Sequence, residues 1–226
     1  MAELLNIKKF VYRESLIFQK VQRKMVLHLG CIGETDANAV IKLERAPYLL
    51  HHKVEKVAHE IYGIDLDSEA INLYTQKLGG KNLFVGDVEH LEKVNISKIF
   101  EIILFTDLIE HLSNPGLALE GIKRFISDKT EIIISVPHSF GLPNYIRYVL
   151  GRFKEGNQHV ATYNSAHLEN LLDRHGFKIV EIYSGFEKVS KGIRKIILLF
   201  PLFILKCFPK FGGTLIVIAK LKEDVK

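Results

Sequence analysis

Cysteine is scarce in this chain: Cys31 and Cys207 are the only two among 226 residues. They cannot build a disulfide framework, and they offer no paired metal-ligand spacing. His51, His52, His59, His90, His167 and His175 also show no ligand spacing, so no metal is expected. The opening Met1–Asn6 lacks a basic start and a long apolar core, so no secretory leader is expected. A reduced, cytoplasmic protein is the resulting expectation. No Gly-rich loop ends in Lys-Ser/Thr, which counts against an NTPase. No internal repeat or low-complexity segment stands out.

Positive charge is absent from most of the chain as a net quantity. From Lys188 to Lys226, nine Lys/Arg face only Glu223 and Asp224, a net of +7. The overall +5 therefore leaves residues 1–187 at about −2. A basic end on a near-neutral body is unlike a nucleic-acid binder, whose basic residues line the binding surface. It suits an anionic surface such as phospholipid head groups. An apolar run that could span a membrane is lacking too. Ile196–Leu205 has ten uncharged residues and is interrupted by Pro201, against the ~20 a spanning helix needs. Lys191, Arg194 and Lys195 precede it, and Lys206 and Lys210 follow. Three readings compete for this run: a buried element, a self-association surface giving a homodimer, or an interfacial segment placing 191–210 peripherally at a membrane.

What is present is 47% hydrophobic content, enough for one α/β domain over 1–226. Residues 12–22 read as a helix within an N-terminal lead-in, 1–23. Strands are expected at Lys24–Leu29, Val57–Asp65, Leu83–Val85, Phe100–Thr106, Glu131–Val136, Phe177–Ser184 and Thr214–Leu221. Thr35-Asp36 caps a helix from about Ala37 to Arg45, ended by Pro47, and Tyr48–Lys56 reads as a connector. Further helices are expected from Asp67-Ser68 to Lys77, from Asn114-Pro115 to about Ile126, and over Ser165–His175. Residues 138–163 read as irregular, and 188–210 as an apolar insertion before the last strand. Strands alternating with helices imply a doubly wound, mostly parallel sheet of seven strands. The last connection has no ordinary crossover helix, so an antiparallel last strand is expected.

The stretch Val26-Leu27-His28-Leu29-Gly30-Cys31-Ile32-Gly33-Glu34 carries the most information. An apolar strand breaks into two glycines three residues apart, where the backbone can approach a ligand. Some thirty residues on, the second strand ends Tyr62-Gly63-Ile64-Asp65. Strand, glycine turn, helix, strand and terminal carboxylate suggest a nucleotide-binding βαβ unit. Asp65 suits ribose hydroxyls, Asp87 the amino group of an adenine, and Asp107 the floor of the same crevice. Each aspartate alone is more simply a cap or turn residue. Three at successive strand ends behind a glycine turn point to a ligand site.

These residues resemble those of class I S-adenosylmethionine-dependent methyltransferases, of the small-molecule, glycan or lipid-precursor type. The resemblance rests on His28–Gly33, Gly63–Asp67, Val85–Val88, Phe100–Leu112 and Gly176–Ile179, and runs from about residue 24 to 184. It implies a Rossmann-like fold and S-adenosyl-L-methionine as cofactor, held by His28, Gly30, Cys31, Gly33, Asp65, Leu66, Asp87, Val88, Asp107 and Leu108. It implies a general base at His111, with His138 also facing the acceptor. It makes 138–163 a substrate-covering segment, with His159 and Tyr163 binding the acceptor. The chain departs from the family at His28, where an acidic residue is usual, and in its glycines, one displaced and one lost. A nicotinamide dehydrogenase would want the fuller G-x-G-x-x-G turn. A non-catalytic adenosyl-binding or interaction module of the same fold is the alternative function.

Overall fold

The computed structural model describes residue 7 and residues 9–33, 49–151, 158–186 and 207–223. The expected helix over 37–45 and nearly all of the apolar insertion, 188–206, lie outside the described residues.

Among the described residues, eight strands form one sheet: β1 (Lys9–Tyr12), β2 (Met25–Leu29), β3 (Glu60–Asp65), β4 (Leu83–Val85), β5 (Ile102–Thr106), β6 (Glu131–Pro137), β7 (Phe177–Phe186) and β8 (Thr214–Leu221). Their order is β1-β7-β8-β6-β5-β2-β3-β4. β8 runs antiparallel to both β6 and β7, and every other pairing is parallel. The expected seven strands and antiparallel last strand are all present. The eighth is new: Lys9–Tyr12 adds to the outer edge of β7, in register Lys9↔Tyr183 to Tyr12↔Phe186. The lead-in is therefore a strand followed directly by α1 (Arg13–Val21).

The remaining helices are α2 (Leu50–Glu55), α3 (Ser68–Leu78), α4 (Pro115–Gly121), α5 (Leu142–Val149) and α6 (Ser165–Arg174). α2 replaces the expected connector, and it displaces the start of β3 from Val57 to Glu60, because Val57 and Ala58 close the helix on the Val54 carbonyl. α5 falls inside the segment read as irregular. Its Pro143 sits in the first turn, where a missing N–H is harmless. α4 is shorter than expected and runs into a tighter 3-10 turn, Ile122–Phe125. α3 matches its sequence signals: the Asp67 carboxylate accepts the Ala70 N–H at 2.9 Å, and Gly79 ends the helix in the left-handed conformation.

Central strands are apolar on both faces, as a covered parallel sheet requires. In β5, Ile102 and Leu104 pack with Leu16, Ile17 and Val21 of α1 and Val54 of α2. Ile103 and Phe105 face the opposite layer, with Leu119 of α4 and Leu168 and Leu172 of α6. This two-residue alternation fixes the register. No described helix is long and apolar enough to cross a membrane.

Candidate functional site

The chain order reverses between β2 and β5: β3 and β4 continue to one side, β6 to the other. Such a switch point opens a crevice at the carboxyl ends of the strands. A cleft of about 550 Å³ lies there. Its wall includes His28, Gly30 to Gly33, Thr106, Asp107, Glu110 and His111 from the strand ends. Arg13, Leu50, Asn144, Arg147 and His159 close it from outside the sheet.

The glycine turn is built on β3. Gly30 and Cys31 both donate to the Ile64 carbonyl, at 2.9 and 3.3 Å. Gly30 has φ +65°, and a Cβ there would stand 2.9 Å from Leu108. Gly33 has φ +80°, and a Cβ there would meet no described atom within 4 Å. Asp65, 8% exposed, ties the turn down from below. One carboxylate oxygen accepts the Ile32 N–H at 2.8 Å, the other the Asp67 N–H at 3.1 Å. Each oxygen keeps a second lone pair.

His28 and His51 form a stacked pair beneath the turn, ring centroids 5.5 Å apart. Both are buried. His28 Nε2 lies 3.0 Å from the Thr106 hydroxyl, while its Nδ1 and both His51 nitrogens have no hydrogen-bond partner among the described residues. Burial holds His28 well below its ordinary 6.5, with His51 adding to the effect. Burial likewise lowers His51 to about 4, with His52 contributing. Both are neutral near pH 7. Burial first, and then the Asp65 charge, push the Cys31 thiol well above its ordinary range, so it is no nucleophile. Gly63 makes room for this cluster: a Cβ there would lie 2.6 to 2.8 Å from Leu83, Cys31 and His51.

Asp107 takes φ +48° past the end of β5, donates its N–H to the Ser135 carbonyl at 2.8 Å, and pairs with the Arg13 guanidinium. Arg13 escaped the sequence reading because 94 residues separate the two. His111 closes a 3-10 turn, Ile109–His111, and its Nδ1 lies 3.2 Å from the Gln158 carbonyl. A carbonyl only accepts, so Nδ1 carries a proton, and Nε2 is the nitrogen that bears the lone pair when the ring is neutral. The His159 ring packs edge-on to His111 at 4.7 Å.

The sequence-based residues thus divide. His28, Gly30, Cys31, Gly33, Asp107, His111 and His159 come together on the cleft wall. Leu108 packs under Gly30. Asp65, Leu66, Asp87 and Val88 lie at the ends of β3 and β4, beyond that wall. Leu66 is 72% exposed there. Asp87 accepts the Glu89 N–H at 2.9 Å, and Val88 is buried in the core. His138 is displaced from its expected place: Pro137 faces the cleft instead. His138 turns inward, where its Nδ1–H donates to the Gly212 carbonyl at 3.0 Å and burial lowers its pKa. Tyr163 is buried too, its carbonyl accepting from the Ser139 N–H and hydroxyl, and it faces a narrow recess beside Glu110 and His159.

A family model described as a methyltransferase domain matches residues 14–182, most of the chain. No curated protein sequence matches. Solved structures with the same fold include a SAM-dependent methyltransferase from Archaeoglobus fulgidus, 19% identical, covering 92% of this chain and 90% of that one, TM-score 0.54. A second is the N-methyltransferase NodS from Bradyrhizobium japonicum WM9 in complex with S-adenosyl-L-homocysteine, 10% identical, covering 93% and 86%, TM-score 0.55. A third is the 1,6-didemethyltoxoflavin-N1-methyltransferase of Burkholderia thailandensis, 15% identical, covering 94% and 77%, TM-score 0.54.

Proposed function

The chain belongs to the methyltransferase-domain family, and from that premise we propose that it transfers a methyl group from S-adenosylmethionine to a hydroxyl or similar group of a small amphiphilic acceptor. The observation that carries the reading is the cleft at the switch point, roofed by the left-handed glycine turn and reached by His111. The residues fit the cofactor. No described atom fills the space over Gly33, so a ligand can approach where a side chain would intrude. Asp65 keeps lone pairs for ribose hydroxyls, and exposed Leu66 offers an apolar face beside them. To Asp87 and Val88, which follow β4, we assign the adenine end. His28 presents a neutral imidazole, so the amino-acid end is met by a dipole rather than a carboxylate.

When bound, the sulfonium supplies an activated methyl group, and the protein's task is positioning. His111 accepts the acceptor's proton through Nε2, the nitrogen not committed to the Gln158 carbonyl. Arg13 and Asp107 hold the cleft floor as an ion pair. α5 contributes Asn144 and Arg147 to the wall while exposing Tyr145, Ile146, Tyr148 and Val149. A cationic group beside an apolar rim supports a lipid-precursor acceptor carrying an anionic group over a free sugar. The test is transfer of labelled methyl to hydroxylated acceptors with and without an alkyl chain. Faster labelling of the amphiphile supports the reading. Cofactor binding without turnover on any acceptor would favour the non-catalytic module, to which the His28 departure also points.

A further inference from the structure

The geometry points to a transition-metal site formed by Glu110, His111 and His159 in the acceptor half of the cleft. One ligand atom from each of these side chains lies within 4.8 Å of the other two. Ligand atoms at ~2.1 Å from a tetrahedral ion are about 3.4 Å apart, so loading needs an inward shift of roughly an ångström. Edge-on ring packing alone would account for two histidines together. It does not account for a carboxylate buried to 1% exposure converging on the same point.

The trio is held by backbone, not by chance contact. Val160 and Ala161 both donate to the Glu110 carbonyl, at 2.9 and 3.2 Å. Gln158 accepts from His111 Nδ1. These bonds dock 158–161 onto the 3-10 turn and set His159 against His111. The Gln158 carbonyl also does what outer-shell groups at metal sites do: it fixes the tautomer and turns the other nitrogen inward.

Two imidazoles and one carboxylate suit borderline dications such as Zn²⁺, Co²⁺, Mn²⁺ or Fe²⁺, whereas Mg²⁺ and Ca²⁺ favour oxygen ligands. Three protein ligands leave positions open. All three residues line the cleft. In the metal-loaded protein the His111 Nε2 lone pair would go to the ion, so the base role given to His111 belongs to the metal-free protein. An acceptor oxygen at an open position would be acidified by the ion instead; that role rests on the methyl-transfer reading, while the site itself does not.

The test is Co²⁺ titration of chelator-treated protein, read by visible d–d absorption, with Zn²⁺ as competitor. One Co²⁺ per chain, displaced by Zn²⁺, is expected. His159→Ala should weaken binding by more than about tenfold, as should Glu110→Gln, while exposed His167→Ala should leave it unchanged. Should Glu110→Gln fail to fold, the partly exposed His159 decides alone. No stoichiometric Co²⁺ binding, or binding indifferent to His159→Ala, would overturn the assignment. Calorimetry with S-adenosylhomocysteine on the same preparation separates the two claims. Cobalt without the nucleoside leaves the metal site standing and removes methyl transfer; the nucleoside without cobalt does the reverse.

Discussion

Asp65→Ala removes a side chain that joins the glycine turn to the tip of β3. Two N–H groups lose their acceptor, those of buried Ile32 at 2.8 Å and of Asp67 at 3.1 Å. Leaving a buried donor unpaired costs roughly 1–3 kcal/mol. The Ile32 amide should bear the fuller penalty and the part-buried Asp67 amide the lesser, for about 2–4 kcal/mol together. Asp67 also caps α3, so helix and turn loosen together. At about 2–4 °C per kcal/mol for a chain of this size, the melting midpoint should fall by roughly 5–15 °C. Urea unfolding should show a lower midpoint with the slope unchanged, since the core is untouched. Asp65→Asn keeps an acceptor for one N–H but turns an NH₂ toward the other, so it should also destabilise. An Asp65→Ala protein with the wild-type midpoint would refute the role given to this carboxylate.

Three further outcomes follow from the same geometry. His28 and His51 stay neutral in the fold, so below pH ~6.5 the unfolded chain takes up protons that the folded chain refuses. Stability is therefore whole above that pH and falls toward pH ~4, by up to about 1.4 kcal/mol per pH unit for each histidine; His51→Leu should flatten this limb in urea titrations at pH 5. Gly63→Ala should destabilise by about 1–3 kcal/mol, because its Cβ would meet Leu83, Cys31 and His51 at once; calorimetric melting checks it. His138→Ala should cost stability through the lost Gly212 bond without lowering the rate per folded molecule, whereas His111→Ala should lower the rate by roughly 10²-fold or more.

The pattern of the sheet was legible where strands are long or punctuated. Leu83–Val85 and Thr214–Leu221 fall where the sequence places them, and the Asp67 and Gly79 signals bound α3. β1 was not legible: four residues at an edge carry no alternation that distinguishes a strand from a helix lead-in. α2 is six residues long, too short for helical periodicity to show. α5 was announced by Pro143, but neighbouring Gly141 and Gly151 read as loop. The strand-end residues of the site were readable because the fold brings strand ends to one crevice. Arg13 was missed because it reaches the cleft through tertiary docking, whereas His159 was assigned to the acceptor through the resemblance alone. His159 is brought to Glu110 by hydrogen bonds that include those from Val160 and Ala161, which no spacing rule encodes. The burial of His138 was likewise invisible, since it depends on a carbonyl at Gly212.

Calorimetric titration with S-adenosylmethionine and S-adenosylhomocysteine, with NAD as control, tests the central claim most directly. The account predicts stoichiometric binding of both sulfur nucleosides at roughly micromolar strength, about −8 kcal/mol, and no heat from NAD. Absence of binding by either would contradict it, and would make the neutral His28 beneath the glycine turn the mark of a domain that has left methyl transfer behind.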